Sequence, residues 1–250
     1  MDGKTPSRQG KTSAALVVIA EAPIPGQVKM RLSPALTEDE AATLHGSFVL
    51  DTLERTKTAA STFKLPIDRF LACAPSSSHA FFRIMEARHG VTLLDQQGDD
   101  LGARMRGIFD CLFSQGYQRI CLVGTDVPSL PLAYYRDAVE ALTRHEVVIG
   151  PAKDGGYYLI GLTQPRSELF TNIPWSTDRV TDLTQQRAVA AGLKVALLPV
   201  WSDVGTVDDL RALIDESAVD KKRTKQERVF SMRTAGTLEL LANRLRARQI

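Results

Sequence analysis

Short apolar runs rich in β-branched residues alternate with stretches of helical periodicity along most of this chain. That alternation restricts the fold more than any other feature. Residues 14–20 (A-A-L-V-V-I-A) are apolar without a break, as a strand covered on both faces must be. Residues 69–73, 91–94, 119–123, 147–149, 157–160 and 194–198 read as further strands. Between them, Thr37 opens a helix with T-E-D-E, a capping box in which the Thr37 hydroxyl and the Glu40 carboxylate satisfy free backbone donors. Leu44, Phe48 and Leu53 mark its inner face. Residues 76–89, 99–115, 131–144, 176–191 and 206–217 are predicted helices. Leu101, Met105, Ile108 and Leu112 share one face of the second of these, and Gly192 ends the fourth. Residues 229–248 form a terminal helix using Met232, Leu238, Leu241 and Leu245, with 218–228 as its linker. The predicted class is α/β: a mostly parallel sheet sandwiched between helices.

Composition agrees with a soluble globular chain and excludes several alternatives. Hydrophobic residues make up 44% of the 250 and charged residues 24%, enough apolar surface to offset ordering entropy. No apolar run reaches the length of a membrane span, and the run at 14–20 looks like a buried strand rather than a signal peptide. The net charge of +2 conceals an asymmetry. Nine Lys/Arg and three Asp/Glu fall between Asp220 and Ile250, so the preceding body carries −4. A mildly acidic body argues against a nucleic-acid surface and leaves the basic tail as a solvated face or packing arm. Cys73, Cys111 and Cys121 are widely spaced among apolar neighbours, which describes buried free thiols in a reducing cytoplasm rather than disulfides or a zinc site.

In open parallel sheets ligands bind where loops leave the carboxyl ends of strands, and five such loops carry unusual chemistry. The first, A-E-A-P-I-P-G-Q-V-K-M-R from Ala20, sets a stiff turn with Pro23, Pro25 and Gly26, then projects Lys29 and Arg31; cations beside free backbone N–H groups suit phosphate. Neither G-x-x-x-x-G-K-[ST] nor G-x-G-x-x-G occurs. The second, V-G-T-D-V-P-S-L, holds Asp126 directly after a strand and too early to cap the next helix, as a hard-cation ligand would sit. The third, G-P-A-K-D-G-G-Y-Y, sets Asp154 before Gly155 and Gly156; a plain D-G hairpin is its bland reading. The fourth, W-S-D-V-G-T-V-D-D-L, offers Asp203 to the same cation, or to an Asx turn ahead of Thr206. In the fifth, Q-Q-G-D-D-L-G-A-R-M, amides after a strand suit a base edge or ribose, and Arg104 lies one turn along the helix; helix capping by Asp99 or Asp100 is the alternative.

In this order the blocks, with I-P-W-S-T-D between the third and fourth, resemble the bacterial rSAM/selenodomain-associated transferase 1 family, glycosyltransferase-like proteins of the nucleotide-diphospho-sugar transferase superfamily. The resemblance spans residues 15–213. It implies a GT-A-type, Rossmann-like three-layer sandwich over residues 14–217; outside it, 1–13 read as a flexible N-terminus and 218–250 as a basic linker and helix. It implies a transferase using a nucleotide-activated sugar donor, with Mg²⁺ or Mn²⁺ on Asp126 and Asp203. The nucleotide would meet Ala20, Pro25, Gly26, Lys29, Arg31, Gln97, Gly98 and Arg104. A small-molecule acceptor would sit by Gly155, Gly156 and Trp175, with Asp154 and Asp126 the catalytic pair. The chain departs from the family at Lys29-Met30-Arg31, where K-T-R is usual, and at Asp203-Val204-Gly205-Thr206, where D-V-D-T is usual. Two alternatives share these residues: nucleotidyl transfer from an NTP to a phosphorylated small molecule, and a catalytically silent nucleotide-binding module. The terminal helix is a candidate homodimer contact.

Overall fold

The structure, a computed structural model, describes residues 13–224 and 228–247. The expected flexible segment 1–13 lies almost wholly outside the described residues. A seven-stranded sheet runs in the order β3-β2-β1-β4-β6-β5-β7. Its strands are β1 (Ala14–Glu21), β2 (Ile67–Ala74), β3 (Thr92–Asp95), β4 (Arg119–Val123), β5 (Val147–Pro151), β6 (Tyr157–Leu162) and β7 (Val195–Leu197). All neighbours pair parallel except β6, which runs antiparallel to both β4 and β5. This is the expected α/β Rossmann-like sandwich with a mostly parallel sheet.

Helices cover both faces because β1 alternates its apolar side chains between two cores. Leu16, Val18 and Ala20 meet Val49 and Leu53 of α1 (Glu38–Thr62), Phe82 of α2 (Ala80–His89) and Tyr135 of α4 (Leu132–Ala141). Ala15 and Val17 meet Met105 and Ile108 of α3 (Leu101–Ser114), with Ala188 of α5 (Val180–Ala190) in the same cluster. A third core lies outside α1. Leu44 and Phe48, expected on the inner face of α1 with Leu53, pack there instead, with Leu210 and Leu213 of α6 (Val207–Asp220) and Leu238, Leu241 and Leu245 of α7 (Met232–Ala247).

Local chemistry sets the boundaries. Thr37 and Glu40 form the predicted capping box, and Thr206 forms another with Asp209. Five expectations need correction. The helix predicted over 76–89 begins only at Ala80, since Ser76–Ser78 satisfy their polar groups in a turn with Asp95 and His79 supplies the cap. The helix predicted over 176–191 starts at Val180, because Ser176 takes a left-handed conformation. Met232, assigned to the inner face of the last helix, is 84% exposed at its first turn, and Cys111, expected to be buried, lies on the exposed side of α3. Leu101 is likewise exposed, although Met105, Ile108 and Leu112 are buried. Burial pushes the Cys73 and Cys121 thiols up to about 12, so both are unreactive packing groups. No helix among the described residues is long and apolar enough to cross a membrane.

Candidate functional site

The strand order reverses between β1 and β4, since β2 and β3 extend the sheet one way and the later strands the other. Loops leaving such a switch point diverge and leave a crevice. Here it is a cavity of about 490 Å³, and Lys29, Asp126, Asp154, Asp203, Arg104 and Trp175 all line it. Because β6 runs backwards, the β5–β6 hairpin carrying Asp154 rises at the same edge as the loops after β4 and β7.

At the centre, Lys29 Nζ lies 2.7 Å from Asp126 Oδ1 and donates a 2.6 Å hydrogen bond to the Val204 carbonyl. It also stands 5.3 Å from the centre of the Phe48 ring. The Lys29 side chain is 6% exposed, whereas that of Asp126 is 48% exposed. The Asp126 carbonyl accepts a hydrogen bond from the Val204 N–H, so the loops after β4 and β7 are tied together directly beneath these side chains. His45 of α1 closes the floor, its Nε2 3.0 Å from the Glu21 carbonyl. Burial lowers its pKa and so favours the neutral ring, against the opposing charges of Asp126 and Glu21.

Negative charge is in excess around this lysine. The pKa of Asp203 is pushed up to about 6, first by burial and then by the charge of Asp154, with Asp209 and Asp126 adding to it. Crowded, oxygen-only carboxylates are the donor set a hard cation takes. Among the described residues no three acidic, His or Cys side chains converge as a ready-made cage. The arrangement fits an ion such as Mg²⁺, which takes one or two carboxylates and fills its shell with water and substrate phosphate. Asp126 and Asp203 are the residues that would hold it.

On the β3 side, the Gln96 side-chain amide donates 2.9 Å bonds to the carbonyls of both Ala20 and Ala72, clamping the ends of β1 and β2. Arg104 reaches back from α3, with Nη1 3.6 Å from Glu21 Oε1 and Nε donating to the Gly98 carbonyl at 3.2 Å. On the far wall, Asp154 Oδ1 accepts the Gly156 N–H at 2.8 Å. The carbonyls of Gly155 and Gly156 accept from the backbone and hydroxyl of Thr181, which moors the hairpin to α5. Trp175 stands edge-on to Tyr157, ring centres 6.3 Å apart, and presses on α3 at Gly102, where a Cβ would come 2.6 Å from its ring.

Of the residues singled out from sequence, Ala20, Lys29, Arg104, Asp126, Asp154, Gly156, Trp175 and Asp203 meet in this crevice. Others fall outside its wall. Pro25 faces a shallow recess on the outer side of α1. Gly26 turns at positive φ beside the Glu38 carboxylate. Arg31 lies exposed at the rim, its Nη1 3.4 Å from where a Cβ on Gly205 would stand. Gln97 is exposed, and its neighbour Gln96 faces inward instead. Gly98 and Gly155 serve the backbone: both have positive φ, and a Cβ on Gly155 would overlap the Asp178 carbonyl. Asp100, not Asp99, caps α3. Glu21, Gln96, Tyr157 and Tyr158, which fall inside the quoted motifs without having been singled out, and His45, which lies in none, also line the crevice; strand alternation past Asp95 distinguishes Gln96 from Gln97.

The family described as "Uncharacterized protein conserved in bacteria" (DUF2064) matches residues 58–177. The chain is similar to the crystal structure of a candidate nucleotide-diphospho-sugar transferase from Desulfovibrio desulfuricans G20: 30% identity over 94% of this chain and 98% of that one, at a TM-score of 0.79. A cytidylyltransferase from Leptospira borgpetersenii shares the fold at 13% identity, with 93% of this chain and 94% of that chain covered and a TM-score of 0.54. So does the bifunctional IspDF of Campylobacter jejuni, at 10% identity over 79% of this chain and 53% of that one, with a TM-score of 0.51. No curated protein matches the chain.

Proposed function

The chain belongs to the nucleotide-diphospho-sugar transferase superfamily, and from that premise we propose that it is a metal-dependent glycosyltransferase-like enzyme taking a nucleotide-activated sugar donor. Its ordered motifs support a place in the rSAM/selenodomain-associated transferase 1 group, which they resemble. The observation that carries the reading is the shared crevice. Three carboxylates (Asp126, Asp154 and Asp203), a buried ammonium and the Arg104 guanidinium line one cavity at the switch point of the sheet.

The donor diphosphate would lie over the β1–β4 boundary, its oxygens meeting the Arg104 and Arg31 guanidiniums. When bound, Mg²⁺ or Mn²⁺ on Asp126 and Asp203 supplies positive charge where the leaving group accumulates negative charge. The acceptor would stand against Trp175 and the glycines of the hairpin, oriented for attack on the activated carbon. Asp154 is the general base. Its Oδ1 is held by the Gly156 N–H, so the carboxylate is fixed in direction while remaining exposed to an incoming hydroxyl.

A thermal-shift panel of nucleotides and nucleotide-sugars, with and without Mn²⁺, tests this. A rise in Tm that needs both the ion and one nucleotide-sugar is the expected result, followed by loss of that sugar donor without pyrophosphate release. Pyrophosphate release from an NTP would move the assignment to nucleotidyl transfer. Binding with no product under any metal would leave a silent binding module.

A further inference from the structure

We infer that Lys29 is a positioning residue: its ammonium pins one oxygen of Asp126 so that the other faces the crevice, and the lysine is not itself a phosphate contact. The inference rests on the proposed role of Asp126 and adds a division of labour among the basic residues. Two of the three donors of Nζ are already committed, to Asp126 Oδ1 at 2.7 Å and to the Val204 carbonyl at 2.6 Å. The group is nearly sealed from solvent, and the Phe48 ring covers part of what remains. An ammonium so buried depends on its carboxylate, and a carboxylate so paired is fixed in rotamer.

The backbone points the same way. Lys29 sits at φ 53, in the left-handed region that side chains other than glycine occupy only at a cost. That conformation follows the turn at Pro25–Gly26 and aims the side chain inward, beneath the loops after β4 and β7, whereas Arg31 two residues on stays exposed at the rim. The Asp126 carboxylate remains half exposed, and its Oδ1 has one other neighbour, the Thr125 hydroxyl at 3.5 Å. Lys29 therefore links three chain segments while leaving Asp126 Oδ2 open to a ligand.

Lys29→Met and Lys29→Gln separate this role from phosphate binding. Methionine removes the charge at similar length; glutamine keeps an N–H donor and guards against simple misfolding. With inorganic pyrophosphate alone as the calorimetric probe, affinity should stay within about twofold for both variants, while a direct phosphate contact would cost about tenfold or more; any added affinity conferred by Mn²⁺ should be lost in Lys29→Met and kept in Lys29→Gln. Crystal structures should show the Asp126 carboxylate swung from the crevice in Lys29→Met and retained in Lys29→Gln. On the donor identified by the panel, kcat should fall about thirtyfold or more in Lys29→Met with KM little changed. Tenfold weaker pyrophosphate binding, or an Asp126 that does not move in Lys29→Met, would overturn the inference. Failure of the wild type to bind pyrophosphate or turn over any donor would instead overturn the transferase reading, and the crystal structures would still decide the role of Lys29.

Discussion

Asp154 holds Asp203 from ionising at its ordinary pH. Its negative charge, next to burial the largest influence on Asp203, helps raise that carboxyl to about 6. A folded-state pKa above the unfolded value means that the native state binds this proton more tightly. The associated stability is fully present below about pH 4 and is lost as pH rises through about 6. Asp203→Asn should therefore raise Tm at pH 7 to 8, with the difference from wild type closing as the pH falls from about 6 to about 4. An unchanged difference from pH 4 to 8, read by calorimetry, would remove Asp203 from this pair. Added Mn²⁺ should stabilise the wild type more at pH 7.5 than at pH 5, because protons compete for the same oxygens.

Asp154→Asn isolates the chemistry from the scaffold. Asparagine keeps an oxygen to accept the Gly156 N–H, so the hairpin should stand. It cannot take a proton from an acceptor hydroxyl. The expected outcome is loss of transfer by about 10²-fold or more with nucleotide affinity intact. Turnover at the wild-type rate would exclude Asp154 as the base.

Gly155 is a different kind of requirement. Its φ is 87, and a side chain there would overlap the Asp178 carbonyl at the approach to α5. Gly155→Ala should cost about 2–4 kcal/mol through combined strain and overpacking. Denaturant unfolding measures that loss, and a cost below about 0.5 kcal/mol would mean that the hairpin relaxes freely.

The terminal helix depends on an acid at the end of α6. Buried Asp220 accepts from the backbone N–H groups of Val229 and Phe230 at 3.0 to 3.1 Å and pairs with Arg223 at 3.3 Å. Asp220→Ala leaves those N–H groups without their acceptor and should destabilise the protein by about 2–4 kcal/mol. Hydrogen exchange should show α7 losing protection before the sheet does.

Much of the scaffold could be read from residue pattern because it rests on local rules. The continuous apolar run at β1, the T-E-D-E start of α1 and Gly192 beyond α5 each act within a few residues of themselves. The acids of the crevice were legible for a similar reason, as carboxylates set just past strand ends. What stayed hidden depends on partners far along the chain. Lys29 was readable as a cation but not as the partner of Asp126, because that pairing spans three loops. His45 resembles any polar residue of a helix until β1 ends against it. Gln96 and Gln97 differ only in strand parity, so an error of one residue at the end of β3 exchanges them.

The reversed strand β6 has a consequence for how such a scaffold diversifies. Its entry loop, Ala152 to Gly156, joins two adjacent antiparallel strands and carries no crossover helix. Apart from Gly155 and Gly156, which are moored to the start of α5, its residues can be exchanged without re-docking a crossover helix. The hairpin wall of the crevice can thus drift in evolution while the opposite wall, built on parallel strands locked to their helices, keeps its shape.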